Sequence, residues 1–334
     1  MPGRGEAAGG LAGQSVPAAP SPAPSPGPSP GPSPGPSPGP SPGPSLGHGR
    51  PVLMGVLNCT PDSFSDGGAF LDVAAAVRHA LAMAEEGAAI IDVGAESTRP
   101  GASRVPAAEQ CRRLHEVLIA LRRALPPEVG ISVDTTRAAV AELAIAAGAG
   151  LLNDISAGRD DPALLPLAAR AGLSVCLMHM QGEPATMQAA PHYADVVAEV
   201  ADFLLARAAA AVAAGVARER ILLDPGIGFG KTRAHNLALL AALPRLADLG
   251  YPLLLGASRK RFLGSLCHET DPAALVGATC ATTALGVAAG VRIFRVHDVR
   301  ANRQALEVAE ALRQAGLSWV SAPAPASVPA ASDR

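Results

Sequence analysis

A chain of 334 residues has room for one large domain or two ordinary ones. Its 27 basic and 29 acidic residues nearly cancel, so no excess charge invites nucleic acid or an anionic membrane surface. No apolar run reaches the roughly 18 residues of a membrane span, and the N-terminus, with Arg4 and Glu6 but no apolar stretch, does not read as a secretory signal. Hydrophobic residues make up 49% of the chain and aromatics only 3%, so the core is built from Ala, Leu, Val and Ile. That composition suits helices packed closely on a parallel sheet. Cysteines 59, 111, 176, 267 and 280 form no C-x-x-C pair, which argues against a disulfide framework or a zinc site. Reduced thiols and a cytoplasmic location are the expectation.

Residues 1–49 are of low complexity, and from Pro24 the unit Pro-Ser-Pro-Gly recurs almost without interruption to Ser45. Such a unit has no apolar side chain to bury against its ordering entropy, so a disordered, partly PPII-like leader is expected. The Ala/Pro/Ser-rich residues 319–334 are expected to form a disordered tail. Between them, residues 50–318 have the size of one (β/α)8 barrel.

Within that span short Val/Ile/Leu runs alternate with polar loops and Ala/Leu-rich helical stretches. The pattern predicts strands over 52–57, 89–93, 130–134, 150–153, 174–178, 220–223, 252–256 and 292–296. It predicts helices over 71–87, 106–125, 136–147, 160–171, 193–214, 235–249, 272–289 and 299–315. Eight strand–helix units close a TIM barrel. An open doubly wound sheet is the main rival, but it would show fewer units and a Gly-rich first turn, and no G-x-G-x-x-G is present.

The polar residues fall at the strand ends. Strand one ends at Asn58. Strand two runs through Asp92 into Glu96, Thr98, Arg99 and Pro100, and strand three ends at Asp134. The next two end at Asn153–Asp154 and Met178–His179. Asp224 closes strand six, Gly256 to Lys260 follow strand seven, and strand eight carries Arg295 and His297. A single Asp, Asn or Thr after a strand is usually a helix cap, and Thr136, Asp154 and Asp298 are expected in that role. A ring of carboxylates, amides and cations at the same end of eight strands instead points to one ligand-binding mouth. DPGIGFGKT (224–232) looks like a phosphate loop, but G-x-x-x-x-G-K-[ST] needs glycine at 225, where Pro225 stands. Its glycines are better suited to letting backbone approach a ligand held by Asp224.

Eight stretches occur in the order found in the dihydropteroate synthase family: LNCTPDSFSDGG, DVGAESTRPGA, SVDTTR, NDISAG, CLMHMQG, LDPGIGFGK, GASRKRFLG and RVHDVR. The chain resembles that family over about residues 50–317. The resemblance implies a TIM barrel, usually a homodimer, that joins 6-hydroxymethyl-7,8-dihydropterin pyrophosphate to p-aminobenzoate. The products are 7,8-dihydropteroate and pyrophosphate, in the folate-pathway step that sulfonamides block.

By the same resemblance, Asp224 accepts the pterin's adjacent amide N–H and amino group, while Asp134 and Asn153 hold other ring edges. Lys260 donates to ring acceptors, and Met178, Phe229 and Gly256 border the slot. Charge-assisted bonds of this kind contribute roughly 1.5–3 kcal/mol each. Asn58, Thr98, Arg295 and His297 are implied to hold the pyrophosphate, with Mg2+ near Asn58 and Arg295 under the pterin face, and Arg99 is implied to bind substrate. Asp66 matches the carboxylate near a transient methylene cation. Phe64 and Pro100 match walls of a p-aminobenzoate pocket formed by closure of loops 58–70 and 95–105. The benzoate carboxylate is implied to sit at the helix N-terminus after Lys260. Arg261 there replaces the small hydroxyl residue common in the family, so the backbone donors persist while the side-chain contact changes.

Two other readings share the barrel. A corrinoid-dependent pterin methyltransferase domain would lack TPDSFSDGG and have no use for the SRK and RVH cations, and both are present. A catalytically inactive pterin-binding paralogue would be marked by loss of Asp66, Arg295 or His297, and all three remain. If the leader is only a tether, deleting residues 1–48 leaves turnover unchanged. A large fall in activity of the shortened chain would assign the Pro-Ser-Pro-Gly repeats a further role.

Overall fold

The computed structural model describes residues 49–60, 68–98 and 101–316. The expected leader and tail, and Phe64, Asp66, Arg99 and Pro100, lie outside the described residues. Eight strands form one parallel sheet: β1 (Val52–Asn58), β2 (Ala88–Gly94), β3 (Gly130–Asp134), β4 (Leu151–Asp154), β5 (Ser174–Met178), β6 (Ile221–Asp224), β7 (Leu254–Leu255) and β8 (Ile293–Val296). They neighbour one another in the order β6-β5-β4-β3-β2-β1-β8-β7. A parallel bridge between Leu223 and Leu253 joins the two ends, with the Leu223 N–H donating to the Pro252 carbonyl at 3.0 Å. The sheet therefore closes, and the TIM-barrel expectation holds.

Closure follows from strands that are apolar on both faces. Outward residues such as Leu57, Ile91, Val133 and Phe294 pack under the helices. Inward residues Met54, Ile90, Leu151, Cys176, Leu222, Leu254 and Ile293 form a separate buried layer inside the barrel. Each of these seven comes from a different strand. They plug the barrel and leave its interior packed rather than open.

The helices are α1 (Gly68–Glu85), α2 (Ala107–Ala124), α3 (Ala138–Ala146), α4 (Leu164–Ala171), α5 (Val196–Ala213), α6 (Arg233–Ala241), α7 (Leu243–Ala247), α8 (Arg261–Cys267), α9 (Val276–Ala288) and α10 (Val299–Gln314). The stretch expected as one helix over 235–249 is two, because Pro244 has no N–H for the ladder and starts a new turn. The expected helix over 272–289 opens as a 3-10 turn, Pro272–Ala274, before α9 begins. The short helix α8 falls where the periodicity predicted no element.

The three expected caps also need correction. Asp154 caps no helix; it accepts from the Ser156 N–H and hydroxyl, both at 2.7 Å, and from the Gly158 N–H, folding the loop after β4. Thr136 accepts from Arg104 at 3.4 Å, and the first N–H of α3 is capped by Asp161 from the next loop at 2.8 Å. Asp298 occupies the N-cap position of α10 but bonds Arg259 with both oxygens, at 2.6 and 3.0 Å, instead of the helix. An arginine within reach outcompetes a neutral N–H for a carboxylate.

α5 and α6 each have a side-chain cap from their own N-cap residue, Thr232 of α6 accepting from the His235 N–H at 3.2 Å. Asp195 Oδ1 accepts from the Val197 and Ala198 N–H groups at 2.9 and 3.1 Å. Asp195→Ala is expected to lower the unfolding free energy by about 1 kcal/mol, read by urea denaturation. A change below about 0.3 kcal/mol would show that packing alone sets the start of α5.

Candidate active site

Side chains on a strand alternate faces, so the residue two places beyond an inward core residue also points inward, one layer nearer the carboxyl end. From the plug layer that step leads from Ile90 to Asp92, Leu151 to Asn153 and Cys176 to Met178. It leads from Leu222 to Asp224, Leu254 to Gly256 and Ile293 to Arg295, and two steps from Met54 lead to Asn58. Above the plug the barrel therefore turns largely polar, and Asp92, Asp134, Asn153 and Arg295 bond one another there.

Arg295 joins three strands. Its Nε donates to Asp92 Oδ2 at 2.6 Å and its Nη2 to Asp134 Oδ2 at 2.9 Å. Asn153 Nδ2 donates to the same Asp92 oxygen at 3.1 Å. Asp92 is 0% exposed, so the carboxylate survives burial only through these bonds. Burial opposes the guanidinium charge, but Asp92 and Asp134 outweigh it and hold Arg295 above its ordinary range. Burial pushes the Asp134 carboxyl up to about 7 against the pull of Arg295, and Asp92, Glu96 and Asp154 add to the rise. Asp92 Oδ1 and the hydroxyl of its register partner Ser132 have no hydrogen-bond partner among the described residues.

Asp224 stands across the same layer. Its Oδ1 accepts from the Gly226 N–H at 2.7 Å. A Cβ added to Gly256 would lie 3.8 Å from Arg295 Cβ and 3.9 Å from Asp224 Oδ2, so these two flank that bare stretch of backbone. Burial raises the Asp224 carboxyl, while Lys260, the Gly226 N–H, Lys231 and Arg295 pull it down. Lys260 Nζ donates to the Ile227 carbonyl and lies 4.6 Å from the centre of the Phe229 ring. Burial lowers its ammonium to about 8, Asp224 opposing and Arg295 assisting. Phe229 packs on a small apolar cluster of Ile155, Met178, Met180 and Met187.

Thr98 and Asp134 line a shallow cleft with Glu96, Arg104, Thr135, Thr136, Ile155 and Pro184. Glu96 shapes it by accepting from the Val105 N–H at 3.1 Å and from Gln110 Nε2 at 2.9 Å. The Gly101 N–H donates to the Pro184 carbonyl at 3.1 Å, laying that loop against the one after β5. His297 contacts Ser258 Oγ through Nδ1 at 3.0 Å and through its N–H at 3.2 Å, at the mouth beside Lys260. Arg259 turns away to Asp298. Arg261, first in α8, is exposed.

The arrangement brings Asp134, Asn153, Met178, Asp224, Phe229, Gly256, Lys260 and Arg295 together. Asp92 and His179, expected among the strand-end polar residues but given no ligand role, also belong to the assembly, as do Lys231 and Gln110, which the sequence reading did not single out. The clue was available for Asp92, an acid in the inward register of an otherwise apolar strand. No group of three or more His, Cys, Asp or Glu able to hold a metal occurs among the described residues. Asn58, half-buried at the end of β1, offers one amide oxygen. That fits a hard cation that arrives with phosphate oxygens and water rather than one caged by protein.

The family model described as pterin binding enzyme matches residues 54–297. The dihydropteroate synthase of Mycobacterium leprae is 49% identical over 270 residues, covering 79% of this chain and 94% of the relative. That of Neisseria meningitidis serogroup C is 48% identical over 270 residues, covering 80% and 94%. Among solved structures, Xanthomonas albilineans dihydropteroate synthase with 4-aminobenzoic acid is 48% identical with a TM-score of 0.74, covering 79% of this chain and 93% of that one. The same enzyme in complex with 7,8-dihydropteroate is 45% identical with a TM-score of 0.71, covering 79% and 94%. With this barrel, this ring of polar residues and these relatives, the chain belongs to the dihydropteroate synthase family.

Proposed function

We infer that this chain catalyses the condensation of 6-hydroxymethyl-7,8-dihydropterin pyrophosphate with p-aminobenzoate, a transferase step of folate synthesis. The observation that carries the reading is the linked layer of Asp92, Asp134, Asn153, Asp224, Lys260 and Arg295 at one barrel mouth. Those groups suit a bicyclic ring with donors along one edge and acceptors along another. Asp224 takes the adjacent amide N–H and amino group, and Asp134 and Asn153 take the opposite edge. Lys260 donates to ring acceptors, the Arg295 guanidinium lies under the ring, and Met178, Phe229 and Gly256 border it. Analogues without those donors leave buried carboxylates unpaired and are rejected.

The pyrophosphate faces Asn58, Thr98, Arg295 and His297, and Arg99 is a further residue we assign to substrate. Mg2+ is the cation we assign to Asn58, where it would neutralise phosphate charge. The methylene C–O bond breaks and pyrophosphate departs with the electron pair. The lone pair of the aniline nitrogen then forms the new C–N bond, and that nitrogen releases its proton. Asp66 is the carboxylate we place beside the transient methylene cation. Phe64 and Pro100 are the residues we assign to p-aminobenzoate, and its carboxylate meets the first turn of α8, which has no side-chain cap. Catalysis here is electrostatic, and the already nucleophilic aniline needs no strong base.

Among the described residues no helix is long and apolar enough to cross a membrane. A cytoplasmic setting is supported by five free cysteines, two of them buried. A homodimer through α9 and α10 is supported by Leu285, Val308 and Leu312, which are 56%, 63% and 45% exposed.

Release of pyrophosphate from the pterin substrate, with and without p-aminobenzoate, tests the reaction. The expected result is release coupled to dihydropteroate formation; pterin binding with no release would point to the inactive paralogue. Asp224→Asn places a donor where an acceptor is required, so KM for the pterin should rise about 10–100-fold. An unchanged KM would refute that assignment. Lys260 has its pKa lowered to about 8 by burial, so its ammonium loses the proton as pH rises past that value. The pterin kcat/KM should fall above about pH 8, and Lys260→Arg, which keeps its charge, should abolish that limb. A limb that persists in Lys260→Arg would assign it to another group.

A further inference from the structure

The loop after β6 is held in an unusual way. Its four successive carbonyls, from Ile227 to Gly230, each meet a side-chain donor. Lys260 takes Ile227, Gln188 takes Gly228 at 2.7 Å, Lys231 takes Phe229 at 3.0 Å and Tyr193 takes Gly230 at 2.8 Å. The loop also lies backbone against backbone on the segment after β5. A Cβ at Gly226 would overlap the His179 carbonyl oxygen, and one at Gly230 the Gln181 carbonyl oxygen. Both glycines have positive φ, 65° and 60°, so neither the space nor the backbone admits another residue.

Gln188 and Tyr193 reach this loop from the segment after β5, and Lys231 reaches back from the loop to that segment at His179. Its Nζ donates to Phe229 O and contacts His179 Nδ1 at 2.9 Å and His179 O at 3.4 Å. Lysine is only 3% exposed there and His179 only 6%. The His179 ring is itself wedged edge-on against Phe203 at 4.8 Å and tilted against Tyr193 at 6.0 Å. The charged groups facing this pair are Asp224 and Lys260 from the site and Arg159 on the far side of His179. Burial, with Lys231 and Arg159 beside it, lowers His179 to about 3, so the ring is neutral, and the 2.9 Å contact with Lys231 Nζ fits the tautomer whose Nδ1 accepts.

We propose that Lys231 is a positioning residue for pterin recognition: it ties the Phe229 loop to His179, next to Met178, and so sets the apolar wall of the ring slot. The proposal rests on the pterin assignment given above. Lys231 Nζ meets a carbonyl on one loop and a ring nitrogen plus a carbonyl on the other, three contacts that match the three donors of its ammonium. What the tie holds in register is the Phe229 ring under Lys260 and the Ile227 carbonyl beside it. Both would shift if the loop lifted from His179.

The test uses the full chain and separate KM values for the two substrates. Lys231→Met keeps the length and removes the donor. The pterin KM should rise at least tenfold, while KM for p-aminobenzoate at saturating pterin stays within twofold. His179→Leu should reproduce that split, and His179→Asn, whose amide oxygen stands in for Nδ1, should restore the pterin KM to within threefold of the parent. If Lys231→Met fails to fold, the two His179 variants decide. Folded Lys231→Met with a pterin KM within twofold of the parent overturns the proposal. So does a parallel rise in both KM values, or equal effects of His179→Leu and His179→Asn. Asp224→Asn in the same assay separates the two levels. A raised pterin KM there alongside an unaffected Lys231→Met removes only the role of Lys231, while no change in Asp224→Asn removes the pterin assignment beneath it.

Discussion

A guanidinium lodged inside a barrel has to be held by carboxylates, and the mouth of this protein is organised around that requirement. Arg295 comes from β8, Asp92 from β2 and Asp134 from β3, and the bonds among them cross β1 without involving it. Asn153 from β4 completes the chain of contacts. Removing one partner of such a buried pair strands the other charge, at a cost of about 3–5 kcal/mol. The four strand ends are therefore fixed relative to one another by electrostatics as well as by the sheet.

The same economy explains why the rest of the layer is poised rather than satisfied. Three carboxylates face Arg295, Lys260 and Lys231 in surroundings that exclude much of the water. Burial raises Asp134 and Asp224 and lowers Lys260 and Lys231, the lysines to about 8 and about 7. Groups held this way gain most from a ligand that supplies the missing donors, acceptors and negative charge. A pterin ring with a diphosphate tail does so, and an apolar ring of the same size does not.

Much of this was legible in the amino-acid order. Eight apolar runs, each ending in a polar residue, are enough to imply a barrel with a single binding mouth, and all eight strands formed within a few residues of their expected bounds. The period of two, counted from Met54, Ile90 or Leu222, even selects which polar residue points inward. Long-range competition was not legible. Asp298 sits at a helix start by every local rule, yet Arg259, far along the chain, takes its carboxylate. Asp154 folds its own loop, and α3 is capped by Asp161 from another segment. Asp92 and Arg295 both read as strand-end polar residues but not as a pair, and Lys231 read as a spoiled phosphate loop, because these partners and His179 are adjacent only in space.

A double-mutant cycle on the unfolding free energy of the unliganded protein, pairing Asp92→Asn with Arg295→Met, measures the interaction on which the whole mouth depends. The two charges touch at 2.6 Å in the barrel interior, so the account predicts a coupling of about 1–3 kcal/mol, with the double variant less destabilised than the sum of the singles. Additivity to within about 0.5 kcal/mol would mean that the strand ends are positioned without the buried pair, and would contradict it.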